Sequence, residues 1–190
     1  VKRTLIIMIK EPRPGRVKTR LGRDIGVIPA TWWFRHQSAR LILSLRDPRW
    51  QIVLAVAPDL AVRSKVWPAD LPRWPQGQGD LGARMKRMLQ SATGHVCLIG
   101  ADIPGITRSH ISRAFSALGN HDAVFGPAAD GGYWLAGAKY PSRLPQDMFE
   151  DVRWSSVHAL ADTLQTLPGW RIALTDTLQD VDTAADLPRR

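Results

Sequence analysis

Residues 11–22 read EPRPGRVKTRLG, and together with their neighbours they crowd six cations, Lys10, Arg13, Arg16, Lys18, Arg20 and Arg23, around two prolines and a glycine. Lysine brings a point charge and arginine a planar fork, a pairing suited to a ligand with several phosphate oxygens. Gly15 can turn the backbone without a side chain in the way. Lys10, Gly15, Lys18 and Arg20 are therefore the candidate ligands of a polyphosphate. The spacing is not that of the GxxxxGK[ST] loop.

Three acidic elements accompany the basic loop. Asp102 in GADIPGI follows an apolar run, where a carboxylate could share a hard divalent cation with phosphate oxygens. Asp180 and Asp182 stand in DVDTAADL, after the last apolar run. Between them, Asp130, Gly131 and Gly132 form a DGG segment whose glycines allow close backbone approach and whose carboxylate could take a hydroxyl or the metal. Other chemistry has little support. The five histidines lack metal-ligand spacing, no serine sits in a GxSxG context, and the single cysteine, Cys97, lies within the apolar run HVCLIG.

Those loops need a frame that brings them together. Apolar runs at Leu5–Ile9, Ile52–Ala57, Val96–Ile99 and Ala123–Phe125 read as strands buried on both faces, as in a parallel sheet. Helical spacing lies between them. One helix over 31–46 is expected to turn Trp32, Ala39, Ile42 and Leu43 inward, and another over 81–89 to turn in Leu81, Met85, Met88 and Leu89. Thr107 is a candidate N-cap for a helix burying Ile111, Ala114, Phe115 and Leu118. Ser155 or Ser156 opens a fourth, with Val157, Leu160, Ala161, Leu164 and Leu167 as its stripe. GGYWLAGAK reads as a strand of open direction, WRIALT as a last strand, and WPADLPRWPQGQGD as a large loop in which Trp67 and Trp74 act as plugs or as a lid. Strand and helix in alternation predict an α/β/α sandwich with a mostly parallel central sheet, in one domain over 1–190. In such sheets ligands gather beyond the carboxyl ends of the strands, where each of the loops above falls.

Composition narrows the class. The longest apolar runs are five or six residues, against the ~20 a membrane span requires, and the N-terminus lacks the pattern of a secretory signal, so a cytoplasmic location is expected. The net charge of +9 raises the question of nucleic acid, but the basic residues are dispersed, without a run of five and without interleaved aromatics. A small anionic ligand explains the local cluster better.

The motifs KEPRPGRVKTRL, QGQGDLGARM, IGADIPGI, ADGGYWLAG, VRWSSVHAL and DVDTAADL, in series over nearly the whole chain, resemble the small bacterial GT-A-fold transferases of the selenodomain-associated transferase 1, glycosyltransferase-like type. More distantly the chain is similar to phospholactate guanylyltransferase and the molybdenum-cofactor guanylyltransferases. The resemblance implies a nucleotide-diphospho-sugar transferase fold that takes a nucleotide triphosphate or nucleotide sugar, a small acceptor, and Mg²⁺ or Mn²⁺. It implies that Lys18 and Arg20 hold phosphates and that Asp102 and Asp182 bind metal. It further implies that Gly79, Asp80 and Arg84 face the nucleotide and that Trp154 contacts acceptor or sugar. Departures stand beside it: the LAAGxGxRM loop is replaced by prolines and one glycine, and of the DxD pair only Asp102 remains. The expectation is nucleotidyl transfer from a nucleotide triphosphate to an anionic small acceptor, with Lys18, Arg20 and Asp102 catalytic. Glycosyl transfer and a non-catalytic nucleotide-binding module are the alternatives.

Overall fold

In the computed structural model, which describes residues 1–179, 181 and 183–187, seven strands form one sheet. They are β1 (Arg3–Lys10), β2 (Gln51–Ala57), β3 (Arg73–Pro75), β4 (His95–Gly100), β5 (Ala123–Pro127), β6 (Tyr133–Ala138) and β7 (Ile172–Leu174). The order across the sheet is β3-β2-β1-β4-β6-β5-β7. All pairings are parallel except those of β6, which runs antiparallel to both β4 and β5. Its direction follows from its connection. Only residues 128–132 separate β5 from β6, a hairpin's length, whereas a parallel return needs about a dozen residues or more.

Alternation along each strand sorts the core into two faces. Leu5, Ile7 and Ile9 of β1, with Cys97 and Ile99 of β4, pack against α2 (Val27–Ser44) and α4 (Arg108–Ala117). Ile6 of β1 and Val96 and Leu98 of β4 face α3 (Leu81–Gln90) and the segment that leads into α5 (Ala159–Gln165). The expected α/β/α sandwich is therefore present. Each fully buried Leu, Ile or Phe in these layers contributes about 1.5–3 kcal/mol.

Thr107 caps α4 as expected: its hydroxyl accepts from the His110 amide, and its own amide donates to His110 Nδ1. Ile111, Ala114, Phe115 and Leu118 are all buried. The inward face of α2 is different from the expected one. Trp32, Ala39 and Leu43 are exposed, and Ala30, Phe34, Ser38 and Leu41 turn inward beside Ile42. Trp32, Trp33 and Phe34 are consecutive, and it is Phe34 that the core takes. Leu81 is exposed in the first turn of α3, while Met85, Met88 and Leu89 are buried. Val157 and Ala161 are likewise exposed: α5 begins only at Ala159 and buries Ala159 and Thr163, with Leu160 and Leu164 partly buried against the second core face as expected and Leu167 buried just beyond the helix end.

The Pro-rich stretch holds a strand, β3, rather than a loop throughout. Trp67 is a plug, buried and donating from Nε1 to the Ala61 carbonyl at 2.7 Å. Trp74, on β3, packs against the second core face. No helix among the described residues is long and apolar enough to cross a membrane.

Candidate functional site

From β1 the chain runs on to β2, on one side, and from β4 it runs through α4 to β5, on the other. The two strands are neighbours, so their carboxyl ends open a crevice where the chain's winding reverses. The basic loop leaves β1 at this point and the Asp102 loop leaves β4.

Lys18 closes the crevice electrostatically. It is the residue before α1 (Thr19–Ile25) and takes a left-handed conformation, φ 46° and ψ 50°. A non-glycine residue pays about 1–2 kcal/mol for that geometry, which here aims a long side chain inward. The side chain is only 7% exposed, and Nζ donates to Asp102 Oδ2 at 2.7 Å. Asp102 remains 35% exposed on the cleft side.

A cleft of about 800 Å³ lies around this pair. Lys10, Lys18, Arg20 and Asp102 border it, as do Gly79, Asp80 and Arg84 at the start of α3. Asp130, Gly132 and Trp154 complete the expected set on the far side. Two expected residues lie outside it. Gly15 has φ +71°, a left-handed backbone that suits the turn, and a Cβ built there would meet open space. Gly131 has φ +87°, and a Cβ there would stand 2.3 Å from the Val157 carbonyl oxygen and 2.5 Å from its Cα. Its job is to let two backbones meet; its own carbonyl accepts from the Leu160 amide at 3.0 Å. The expected metal ligand Asp182, like Asp180, lies outside the described residues.

Local bonds explain how the walls are held. Asp80 caps α3, its Oδ1 accepting from the Ala83 amide at 2.8 Å, and Arg84 Nε donates to the Gly79 carbonyl at 2.8 Å. Asp130 Oδ1 accepts from the Gly132 amide at 2.9 Å, folding the β5–β6 turn. Trp154 lies near Tyr133 and Phe149, with ring centroids 6.3 and 6.1 Å away, and over Gly82, where any Cβ would stand 3.1 Å from its ring.

Sequence reasoning missed several cleft residues. Arg16, one of the six clustered cations but not one of the expected ligands, also lines the cleft. Gln76 is 4% exposed and donates to the Ala55 carbonyl at 2.8 Å, while its own backbone oxygen accepts from Arg87 Nη1 at 2.7 Å. A buried glutamine directly after a strand was the available signal, but β3 has only three residues and gave no period to read. Ser155 and Ser156 also line the cleft. Ser155, like Phe149 and Asp151, has a positive φ, so the segment over 149–155 holds three left-handed non-glycine residues, a concentration of strain beside the cleft.

That segment is clamped to α5 by Arg153 and Asp162. The Arg153 amide and Nε donate to Oδ2 at 3.1 and 2.8 Å, and Nη2 donates to Oδ1 at 2.8 Å. These bonds hold the Asp162 carboxyl well below its usual range, at about 2. A depressed carboxylate contributes stability that is complete above the unfolded value of about 3.9 and is lost as pH falls through the folded one. Between pH 4 and pH 2, Asp162→Asn is therefore expected to lose stability less steeply than wild type, as read from urea midpoints. It retains part of the slope because Asp47, bonded to Arg49, is also held at about 2. Burial pushes the Cys97 thiol and the Tyr133 phenol up, so neither ionises at neutral pH, and burial together with Lys139, Arg3 and the N-terminus lowers His95.

The family described as "Uncharacterized protein conserved in bacteria (DUF2064)" matches residues 42–156. No curated protein matches the chain. Among solved structures, a protein of Desulfovibrio desulfuricans G20 assigned to the nucleotide-diphospho-sugar transferases is 30% identical, with a TM-score of 0.84 over 95% of this chain and 82% of its own. The 4-diphosphocytidyl-2C-methyl-D-erythritol synthase of Anaerococcus prevotii DSM 20548 is 9% identical, with a TM-score of 0.60 over 97% of this chain and 92% of its own. Rv0371c of Mycobacterium tuberculosis H37Rv, solved with manganese, is 12% identical, with a TM-score of 0.58 over 98% of this chain and 96% of its own. At those identities the last two establish a shared fold.

Proposed function

The chain belongs to the bacterial DUF2064 family, and from that premise we propose that residues 1–190 form one transferase domain that binds a nucleoside triphosphate and moves its nucleoside monophosphate to a small acceptor. The observation that carries this reading is the pair Lys18 Nζ to Asp102 Oδ2, at 2.7 Å, in a cleft also bordered by Lys10, Arg16, Arg20 and Arg84. The Desulfovibrio relative, assigned to the nucleotide-diphospho-sugar transferases, supports it.

Lys18 and Arg20 hold the phosphates and carry the charge that builds on the departing pyrophosphate. Charge placed in advance costs no reorganisation during the reaction, and phosphoryl chemistry asks little more of side chains than position and charge. Lys10, Gly79, Asp80 and Arg84 border the rest of the nucleotide. Among the described residues no group of three or more metal-ligating side chains exists. A lone Asp102 still fits Mg²⁺ or Mn²⁺, since Mg²⁺ characteristically uses one or two carboxylates and takes its other oxygens from phosphates and water. Asp102, joined by Asp182, would hold the ion, which when bound neutralises phosphate charge. The manganese in the mycobacterial structure is consistent with that choice.

Glycosyl transfer from a nucleotide sugar is the second reading, favoured by the presence of Trp154 in the cleft wall. The products separate the two. Incubated with Mg²⁺ and each of the common nucleoside triphosphates or nucleotide sugars, the protein is expected to gain thermal stability with a triphosphate and to release pyrophosphate. Release of a nucleoside diphosphate from a sugar donor would establish the second reading instead. No thermal shift with any nucleotide would overturn both.

A further inference from the structure

The cations of the cleft sit on two elements, the loop that follows β1 and α3, the helix against which Trp154 packs. Lys10, Arg16, Lys18 and Arg20 leave β1, and Arg84 stands on α3. Beyond Asp102, the wall built from the β5–β6 turn, β6 and the segment before α5 contributes no lysine or arginine among the described residues. Its polar groups are Asp130, Tyr133, Ser155 and Ser156, and its largest surface is the half-buried Trp154. The nearest arginine in sequence, Arg153, is spent on Asp162.

We propose, on the reading of the basic side as the triphosphate site, that this second half of the cleft takes an uncharged, hydroxyl-rich acceptor such as a polyol or sugar. An anionic acceptor, the expectation from sequence, would meet Asp130 with no cation on that wall to offset it. An uncharged ring or chain meets what is there. The apolar face of Trp154 covers its C–H groups, an amphipathic use of a flat, stiff side chain. The Ser155 hydroxyl and Asp130 Oδ2, neither of which has a protein partner among the described residues, are available to its hydroxyls. Ser156 is already engaged, donating to the Arg153 carbonyl at 2.6 Å and accepting from the His158 amide at 3.2 Å. Tyr133 is a half-buried neutral phenol bonded to Thr163 at 3.2 Å.

The charge state of the acceptor also decides what the transfer needs. A phosphate or carboxylate oxygen attacks without losing a proton, but a hydroxyl must give one up. In the transfer proposed, the hydroxyl oxygen forms a bond to the α-phosphorus as the bond from that phosphorus to the β-bridging oxygen breaks. Pyrophosphate leaves with the electron pair, and the hydroxyl proton passes to the Asp130 carboxylate and on to solvent, to which Asp130 is exposed.

The test is calorimetric titration of the protein, held with Mg²⁺ and a non-hydrolysable nucleoside triphosphate, using glycerol, myo-inositol, glucose and N-acetylglucosamine against glycerol 3-phosphate, glucose 1-phosphate and glucose 6-phosphate. At least one uncharged probe is expected to bind about tenfold tighter than its phosphate ester, with an affinity unmoved from about 50 to about 500 mM salt because no screened charge is involved. Trp154→Ala is expected to weaken that probe about tenfold, a loss within the range of one aromatic contact. Tighter binding of the phosphate esters, or no saturable binding of any uncharged probe, overturns the inference; the wild-type preference decides even if Trp154→Ala fails to fold. Binding of the triphosphate itself, measured before each titration, tests the underlying reading separately.

Discussion

Lys18→Ala is expected to lower kcat/KM for the triphosphate about 10²- to 10³-fold, the cost of removing one pre-placed donor from a developing anion. Folding should suffer far less. The ammonium is buried, but its partner Asp102 is 35% exposed and can be hydrated when left alone, so the stability lost is about 1 kcal/mol, far less than for a fully buried pair. Lys18→Gly provides the control. Alanine inherits the left-handed conformation of φ 46° and its strain, whereas glycine adopts it freely, so the glycine variant should be about 0.5–1 kcal/mol more stable than the alanine variant and equally inactive. Steady-state kinetics and urea midpoints on the three proteins check both halves. A loss of activity that tracked stability across them would remove Lys18 from the chemistry.

Gly131→Ala is expected to cost about 3 kcal/mol, chiefly because backbone rather than side chain blocks the new methyl group. The left-handed φ of +87° accounts for about 1–2 kcal/mol, and the remainder comes from forcing residue 157 away from contacts of 2.3 and 2.5 Å. For a chain of 190 residues that corresponds to a fall in Tm of roughly 6–12 °C. The two segments displaced are the β5–β6 turn and the approach to α5, which together build the wall proposed for the acceptor. Acceptor affinity should therefore fall with stability while triphosphate affinity, made elsewhere in the cleft, is retained. Differential scanning calorimetry and titration with triphosphate read the two effects. An unchanged Tm would mean that the backbones are not in contact.

Much of this architecture was legible in the sequence because the strands that matter are continuous apolar runs. Leu5–Ile9 and Val96–Ile99 are buried on both faces, and the loops that follow them carry Lys18 and Asp102 to one edge by topology alone. Three features were not legible. The inward face of α2 depended on which of Trp32, Trp33 and Phe34 the core would choose, and adjacent aromatics leave the helical phase undetermined. β3 is too short for a period, so Gln76 was hidden in what read as a loop. Gly131 was recognisable as a glycine that something approaches, but sequence could not say that the visitor is the protein's own backbone at Val157 rather than a ligand.

The antiparallel insertion of β6 has a genealogical consequence. Because β6 returns directly beside β4, the residues proposed for the acceptor fall in one stretch between about Ala128 and Ala159, while those proposed for the donor and its ion lie outside it, from Lys10 to Asp102 and at Asp182. On the proposed assignment, acceptor preference would thus be carried on one uninterrupted length of gene. Substitutions within that length would alter the co-substrate while leaving the residues proposed for the donor untouched.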